Sequence, residues 1–136
     1  MSTILPPAAP TETAARTRPA DDAAPLREDY QLRDALLASR GRVLLSGTQA
    51  LVRLLLMQRA ADAERGLDTR GFVSGYRGSP LGMVDQELWR AAAALDTAGV
   101  RFVPAVNEEL AATQVLGTQR VETDPERSAA AVFAMW

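Results

Sequence analysis

The sequence contains no cysteine, no histidine and no lysine. Without cysteine it can hold no disulfide, thiolate zinc site or Cys-ligated iron–sulfur cluster. Without histidine it lacks the commonest general base and metal ligand. A Ser-His-Asp or Cys-His mechanism made by this chain alone is therefore excluded. Every basic residue is an arginine, these are dispersed, and the net charge is −2. That leaves no basic footprint for nucleic acid. No apolar run approaches the roughly 18 residues that would suggest a membrane span. The first residues lack the basic start and apolar core of a secretory signal, so the cytoplasm is the expected location.

What is present suits one small domain of 136 residues with an apolar fraction of 47%. Residues 1–28 are rich in Pro, Ala, Thr and Asp without periodicity, and are expected to be a disordered tail. Glu12, Asp21 and Asp22 argue against a transit peptide. The ordered part is expected over 29–136. A short lead-in helix is expected over Asp29–Leu37 and a short strand over Arg42–Ser46. Thr48 is the expected N-cap of a helix to about Arg65, with Leu51, Leu54, Leu55, Gln58 and Ala61 on its inner face and Gly66 as its stop. Gly71–Gly75 reads as a buried strand and Arg77–Leu81 as a loop. A helix is expected from Gly82 to about Ala98, with Val84, Leu88, Ala91, Ala92 and Leu95 on one face and Gly99 after it. Arg101–Val106 is the next strand, Glu108–Leu116 a helix ending at Gly117, Thr118–Arg127 a polar loop, and Ser128–Trp136 a last strand.

Strands that alternate with helices predict an α/β fold with a parallel sheet and right-handed crossovers. The run Ala131–Trp136 is apolar throughout and no covering helix follows it, so the expectation is a fold truncated at its C-terminus.

Two short motifs fall at carboxyl ends of expected strands, where open α/β sheets bind ligands. Gly75-Tyr76-Arg77-Gly78-Ser79-Pro80 follows Gly71–Ser74, and Val106-Asn107-Glu108-Glu109-Leu110 follows Arg101–Ala105. The plain reading of the first is a tight strand-to-helix turn, with Gly for unusual dihedrals and Pro for rigidity. It has neither the dinucleotide G-x-G-x-x-G spacing nor the Gly-Lys-Ser/Thr of a phosphate loop. The plain reading of the second is a helix start, with Asn107 as N-cap and acids in the first turn. The helix Thr48–Leu56 reads as buried packing, and Trp89 and Trp136 as core or interface aromatics. Arg53 and Arg77 are the two arginines singled out for testing. Glu122, Asp124 and Glu126 read as a polar loop, and no metal ligands are assigned.

Three segments carry a resemblance: Gly47–Leu54, Phe72–Gly82 and Val106–Thr113. In order and spacing they resemble the N-terminal part of indolepyruvate ferredoxin oxidoreductases. These belong to the thiamine-diphosphate-dependent 2-oxoacid:ferredoxin oxidoreductase family. The resemblance covers about 29–136 and only a small part of that family's proteins. It implies part of a three-layer pyrimidine-binding domain, truncated at its C-terminus. In the family a glutamate at a helix start hydrogen-bonds a ring nitrogen of the aminopyrimidine, which activates the thiazolium carbon for attack on the 2-oxoacid carbonyl. The resemblance places that catalytic role on Glu108 rather than Glu109. A carboxyl in an apolar pocket has a raised pKa and can share a proton with such a ring. The family's Tyr-Pro-x-Thr-Pro loop matches Tyr76–Pro80, with Ser79 at the hydroxyl position and Arg77 where the family has proline. Gly75, Tyr76, Gly78, Ser79, Pro80 and Asn107 are thereby implied in cofactor binding. Arg77 is implied as a contact for the substrate carboxylate.

The implied activity is oxidative decarboxylation of indolepyruvate or related aryl 2-oxoacids to acyl-CoA, with ferredoxin as acceptor. Iron–sulfur clusters, magnesium and the diphosphate motif would lie outside this chain. They would sit in the remainder of the oxidoreductase or a partner subunit, through which ferredoxin and CoA would be met. Nucleic acid and membrane are not expected partners. Two other readings stay open: a non-catalytic small α/β interaction module from a truncated gene, and a small flavodoxin-like nucleotide binder. The fragment reading predicts that the purified chain binds thiamine diphosphate weakly or not at all by calorimetry. Low-micromolar affinity would overturn it.

Overall fold

The computed structural model describes residues 28–78 and 82–136. The expected tail therefore lies outside the described residues except for Glu28, as do Ser79, Pro80 and Leu81. The first element, α1 (Asp34–Leu37), is shorter than the expected lead-in helix. One turn is too short to hold itself. Arg53 clasps it from the next helix, with Nη1 donating to the Ala35 carbonyl at 2.9 Å and Nη2 to the Ala38 carbonyl at 2.6 Å. One of the two singled-out arginines thus caps a helix end.

Residues 42–46 are not a strand. The three-stranded sheet gives them no partner, and Leu44 is 86% exposed. The segment ends instead at Ser46, which caps α2 (Gly47–Glu64). Ser46 Oγ accepts from Gln49 N at 3.2 Å, and Gln49 Oε1 accepts from Ser46 N at 3.1 Å. This reciprocal box satisfies two donors that Thr48 alone would leave, so the cap sits two residues earlier than expected. Gly66 ends the helix in the left-handed conformation at φ 74°, as expected.

The buried face of α2 is Val52, Leu55 and Asp62, whereas Leu54, Gln58 and Ala61 are exposed. Asp62 turns the helix this way. Its Oδ2 accepts from Thr69 Oγ1 at 2.7 Å and its Oδ1 from Gln58 Nε2 at 2.9 Å. A buried carboxylate is tolerated when its lone pairs are taken. A reading of apolar spacing alone cannot place an aspartate inside.

Strand β1 (Thr69–Gly75) begins at that threonine. The expected helix 82–98 is two pieces, α3 (Val84–Arg90) and α4 (Ala92–Ala98). They meet at Ala91, whose carbonyl accepts from both Ala94 N and Leu95 N. Leu88, Ala91 and Leu95 are buried, so the expected inner face survives the break. Gly99 caps α4 at φ 71°. Strand β2 (Val100–Pro104) follows, then α5 (Glu108–Thr118), a 3-10 turn over Val121–Thr123, and β3 (Ala131–Met135). Gly117 lies inside α5 rather than at its end.

The sheet is entirely parallel in the order β2-β1-β3, so the chain is a small α/β fold with an open sheet. Val73 stands level with Phe102 and with Met135. These three, with Val100 and Phe133, face α2, α3 and α4 around Val52, Leu55, Leu88 and Leu95. Trp89 is half exposed and meets Phe102 edge to face, with centroids 5.3 Å apart. The opposite face of β1 turns Ser74 toward α5. Among the described residues no helix is long and apolar enough to cross a membrane.

The two outer edges differ. On β2, Ala105 N donates inward to the Gly75 carbonyl at 2.8 Å, so the N–H missing from Pro104 is on the outward side. Arg101 is exposed on the same strand. The β3 segment Ala131-Val132-Phe133-Ala134-Met135 has neither proline nor charge.

Gly71 sits where three strands converge. A Cβ there would lie 2.8 Å from the Phe133 ring and from Val100 Cγ1. Gly71→Ala is therefore expected to cost about 1–3 kcal/mol in urea unfolding. Phe133→Leu in that background should recover part of the loss; no loss for Gly71→Ala would contradict the packing.

Candidate functional site

Parallel strands bring their carboxyl ends to one edge, and there the chain leaves a cavity of about 360 Å³. Val73, Leu88 and Phe102 give it apolar walls, and Gly75, Tyr76, Asp85 and Glu108 contribute at its rim. Met135 and Trp136, after β3, also line it. The volume lies within the usual range for small-molecule sites.

Of the residues proposed from sequence, three meet here: Gly75, Tyr76 and Glu108. Gly75 ends β1. Glu108 is the first residue of α5. It is placed by Asn107, whose Oδ1 accepts from Leu110 N at 2.8 Å. Asn107 is thus spent on the helix cap and is not among the lining residues. Glu108 lines the cavity and is also exposed to solvent, so the apolar enclosure expected around it is incomplete. Glu109 is exposed and does not line the cavity.

Gly78 has a steric reason. A Cβ there would collide with the Tyr76 ring, so this glycine lets the tyrosine fold back over its own loop. Arg77 projects outward, its side chain 79% exposed, and its Nε donates to Asp85 Oδ2 at 3.1 Å. Ser79 and Pro80 lie outside the described residues. Among the described residues no three acidic side chains converge as a metal site.

Two features here are not apparent from motif reading. One is Asp85 itself, whose side chain is only 16% exposed and whose Oδ1 also accepts from Gln86 N at 2.8 Å. The other is Ser74, 3% exposed, whose Oγ lies 2.9 Å from the Val103 carbonyl and 2.7 Å from Gln114 Oε1. A hydroxyl has one proton, so with Oγ donating to the Val103 carbonyl the Gln114 amide turns its NH2 toward Oγ and donates to it. This contact fastens α5, and with it Glu108, to the two strands beneath.

Comparison with protein families, curated proteins and solved structures gives no match for this chain.

Ser74→Ala removes the tie and leaves the Val103 carbonyl without its side-chain donor. It should cost about 1–2 kcal/mol in urea unfolding. Amide exchange should quicken in α5 more than in α2. Equal effects in both helices would mean that Ser74 does not fasten α5.

Proposed function

We propose that this chain contributes the pyrimidine-binding side of a thiamine diphosphate site in a 2-oxoacid:ferredoxin oxidoreductase acting on indolepyruvate or related aryl 2-oxoacids. One observation carries the reading: Glu108, at the first turn of α5, shares a cavity with Gly75 and Tyr76 at the carboxyl edge of the sheet. The donor set suits an aminopyrimidine. Such a ring needs apolar walls on its faces and a carboxyl group at its edge, and Val73, Leu88, Phe102 and Glu108 are of those kinds.

When bound, thiamine diphosphate supplies the carbon nucleophile that attacks a 2-oxoacid carbonyl. The chain's own residues would do the rest of the work on this side. Glu108 would hold or release a proton at its carboxyl group, with Asn107 fixing the helix start that presents it. Val73, Leu88 and Phe102 would keep water from the ring. The chain has no cysteine, so iron–sulfur clusters must come from the remainder of the enzyme or a partner subunit. The diphosphate, magnesium, CoA and ferredoxin sites are assigned there too.

The open β3 edge and the exposed Leu54, Met57 and Leu116 favour a second reading, an interaction module without catalysis. One experiment separates the two. The native protein is captured from its source cells with an antibody against residues 41–100. Its thiamine diphosphate content and its 2-oxoacid-dependent dye reduction are then measured. The cofactor should co-purify in stoichiometric amount, and Glu108→Gln should lower turnover about 100-fold or more, the usual weight of a proton-transfer group. A preparation free of the cofactor, or activity indifferent to Glu108→Gln, would leave the interaction module standing.

A further inference from the structure

The phase of the hydrogen bonding decides which backbone groups of β3 face outward. Along a strand, successive residues turn their N–H and C=O to opposite edges. Gly71 N donates to the Gly99 carbonyl at 3.0 Å, and the Gly75 carbonyl accepts from Ala105 N at 2.8 Å. The odd residues of β1 therefore face β2, and its even residues, Arg70, Phe72 and Ser74, face β3. In a parallel pair a bonding residue reaches the two neighbours of the residue opposite it. Arg70 stands opposite Val132 and Phe72 opposite Ala134. Val132 and Ala134 thus turn their own N–H and C=O to the outer edge.

One of these outward groups already has a donor. Gln119 Nε2 donates to the Val132 carbonyl at 3.2 Å and to Thr118 Oγ1 at 3.1 Å. Thr118 Oγ1 in turn donates to the Val115 carbonyl at 2.7 Å, so the amide is steadied from the end of α5. Gln119 itself is exposed and adds nothing to the core. Its amide stands where the N–H of a neighbouring strand would stand.

We propose that Gln119 guards the β3 edge against a second copy of this chain, which pairs antiparallel along β3 when the amide withdraws. The outward residues Val132 and Ala134 lie symmetrically about Phe133. A two-fold axis beside Phe133 sets each copy's Val132 opposite the other's Ala134. Both pairs then exchange two N–H···O bonds, as outward residues of an antiparallel pair do. The strand carries no charge to repel its own image. The β2 edge offers no comparable site, because Pro104 and Arg101 oppose pairing there. Association through one edge per chain closes at two copies. Pairing must displace two Gln119 amides, one from each copy. Each is a neutral, exposed hydrogen bond, worth at most about a tenfold factor. The guard therefore weakens the association without forbidding it.

The test is the state of association of the full chain, by sedimentation equilibrium over a wide concentration range. Gln119→Ala removes the donor from an exposed position. It should dimerise about tenfold to a hundredfold more tightly than the unmodified chain, the weight of two such bonds. Gln119→Lys keeps a donor beside the carbonyl and adds a charge to the edge, so it should associate no more than the unmodified chain. In the Gln119→Ala dimer, amide exchange should slow at Val132 and Ala134. It should not change at Phe133 and Met135, whose N–H groups face β1. A Gln119→Ala chain that stays monomeric would overturn the proposal and leave the edge to a different molecule. Equal association of the unmodified chain, open-ended aggregation, or slowing confined to Phe133 and Met135 would overturn it as well. If Gln119→Ala fails to fold, exchange in the unmodified chain decides. Protection of Val132 and Ala134 that grows with concentration supports pairing, and its absence refutes it. No cofactor enters these measurements, so their outcome is independent of the thiamine diphosphate reading.

Discussion

The parallel pairing of β1 with a strand on each side is the constraint on which the structure depends. Both edges of β1 are occupied, and both of its faces are covered, with Val73 1% and Ser74 3% exposed. Parallel neighbours cannot be joined by a tight turn, so each connection must travel back across the sheet. That is why α3 and α4 stand between β1 and β2, and α5 between β2 and β3. It is also why the β1 loop, the Asn107 cap and Trp136 all emerge at one edge. The cavity is a product of this topology before it is a product of any particular side chain.

The architecture was largely legible because its signals are local. Gly66 and Gly99 take the left-handed conformation at helix ends, where glycine alone avoids a steric penalty. Asn107 caps the helix it was expected to start. The misreadings came where distant partners decide. Residues 42–46 look extended, but among the described residues no strand is placed to pair with them. The phase of α2 follows from Asp62, whose acceptance of the Thr69 hydroxyl across the following turn outweighs the apolar count that favoured Leu54 and Ala61. The break at Ala91 has no mark in the sequence, because alanine is the residue a continuous helix would prefer.

The candidate site divides in the same way. Gly75, Tyr76 and Glu108 could be singled out from sequence because their motifs lie at the carboxyl ends of expected strands, and it was the resemblance that gave them roles there. Asp85 could not, since an acid in the first turn of a helix is ordinarily a solvated residue that favours the dipole. Ser74 and Gln114 are 40 positions apart, and nothing local joins them. Arg53 and Arg77 look alike as isolated arginines, yet one closes a helix end and the other lies against a carboxylate at the cavity rim. The difference is in their surroundings, which spacing along a chain does not encode.

The contrast between the two outer strands gives the sheet a direction. Beside β2, a newcomer would face an absent donor at Pro104 and the charge of Arg101, both of which discourage pairing. Beside β3, it would meet five uncharged residues with no proline, and the apolar wall that ends in Met135. Growth of the sheet, whether by another part of the same polypeptide or by a different molecule, is therefore one-sided. Because Met135 lines the cavity, whatever joined at that side would also become a neighbour of the cavity and help to enclose it.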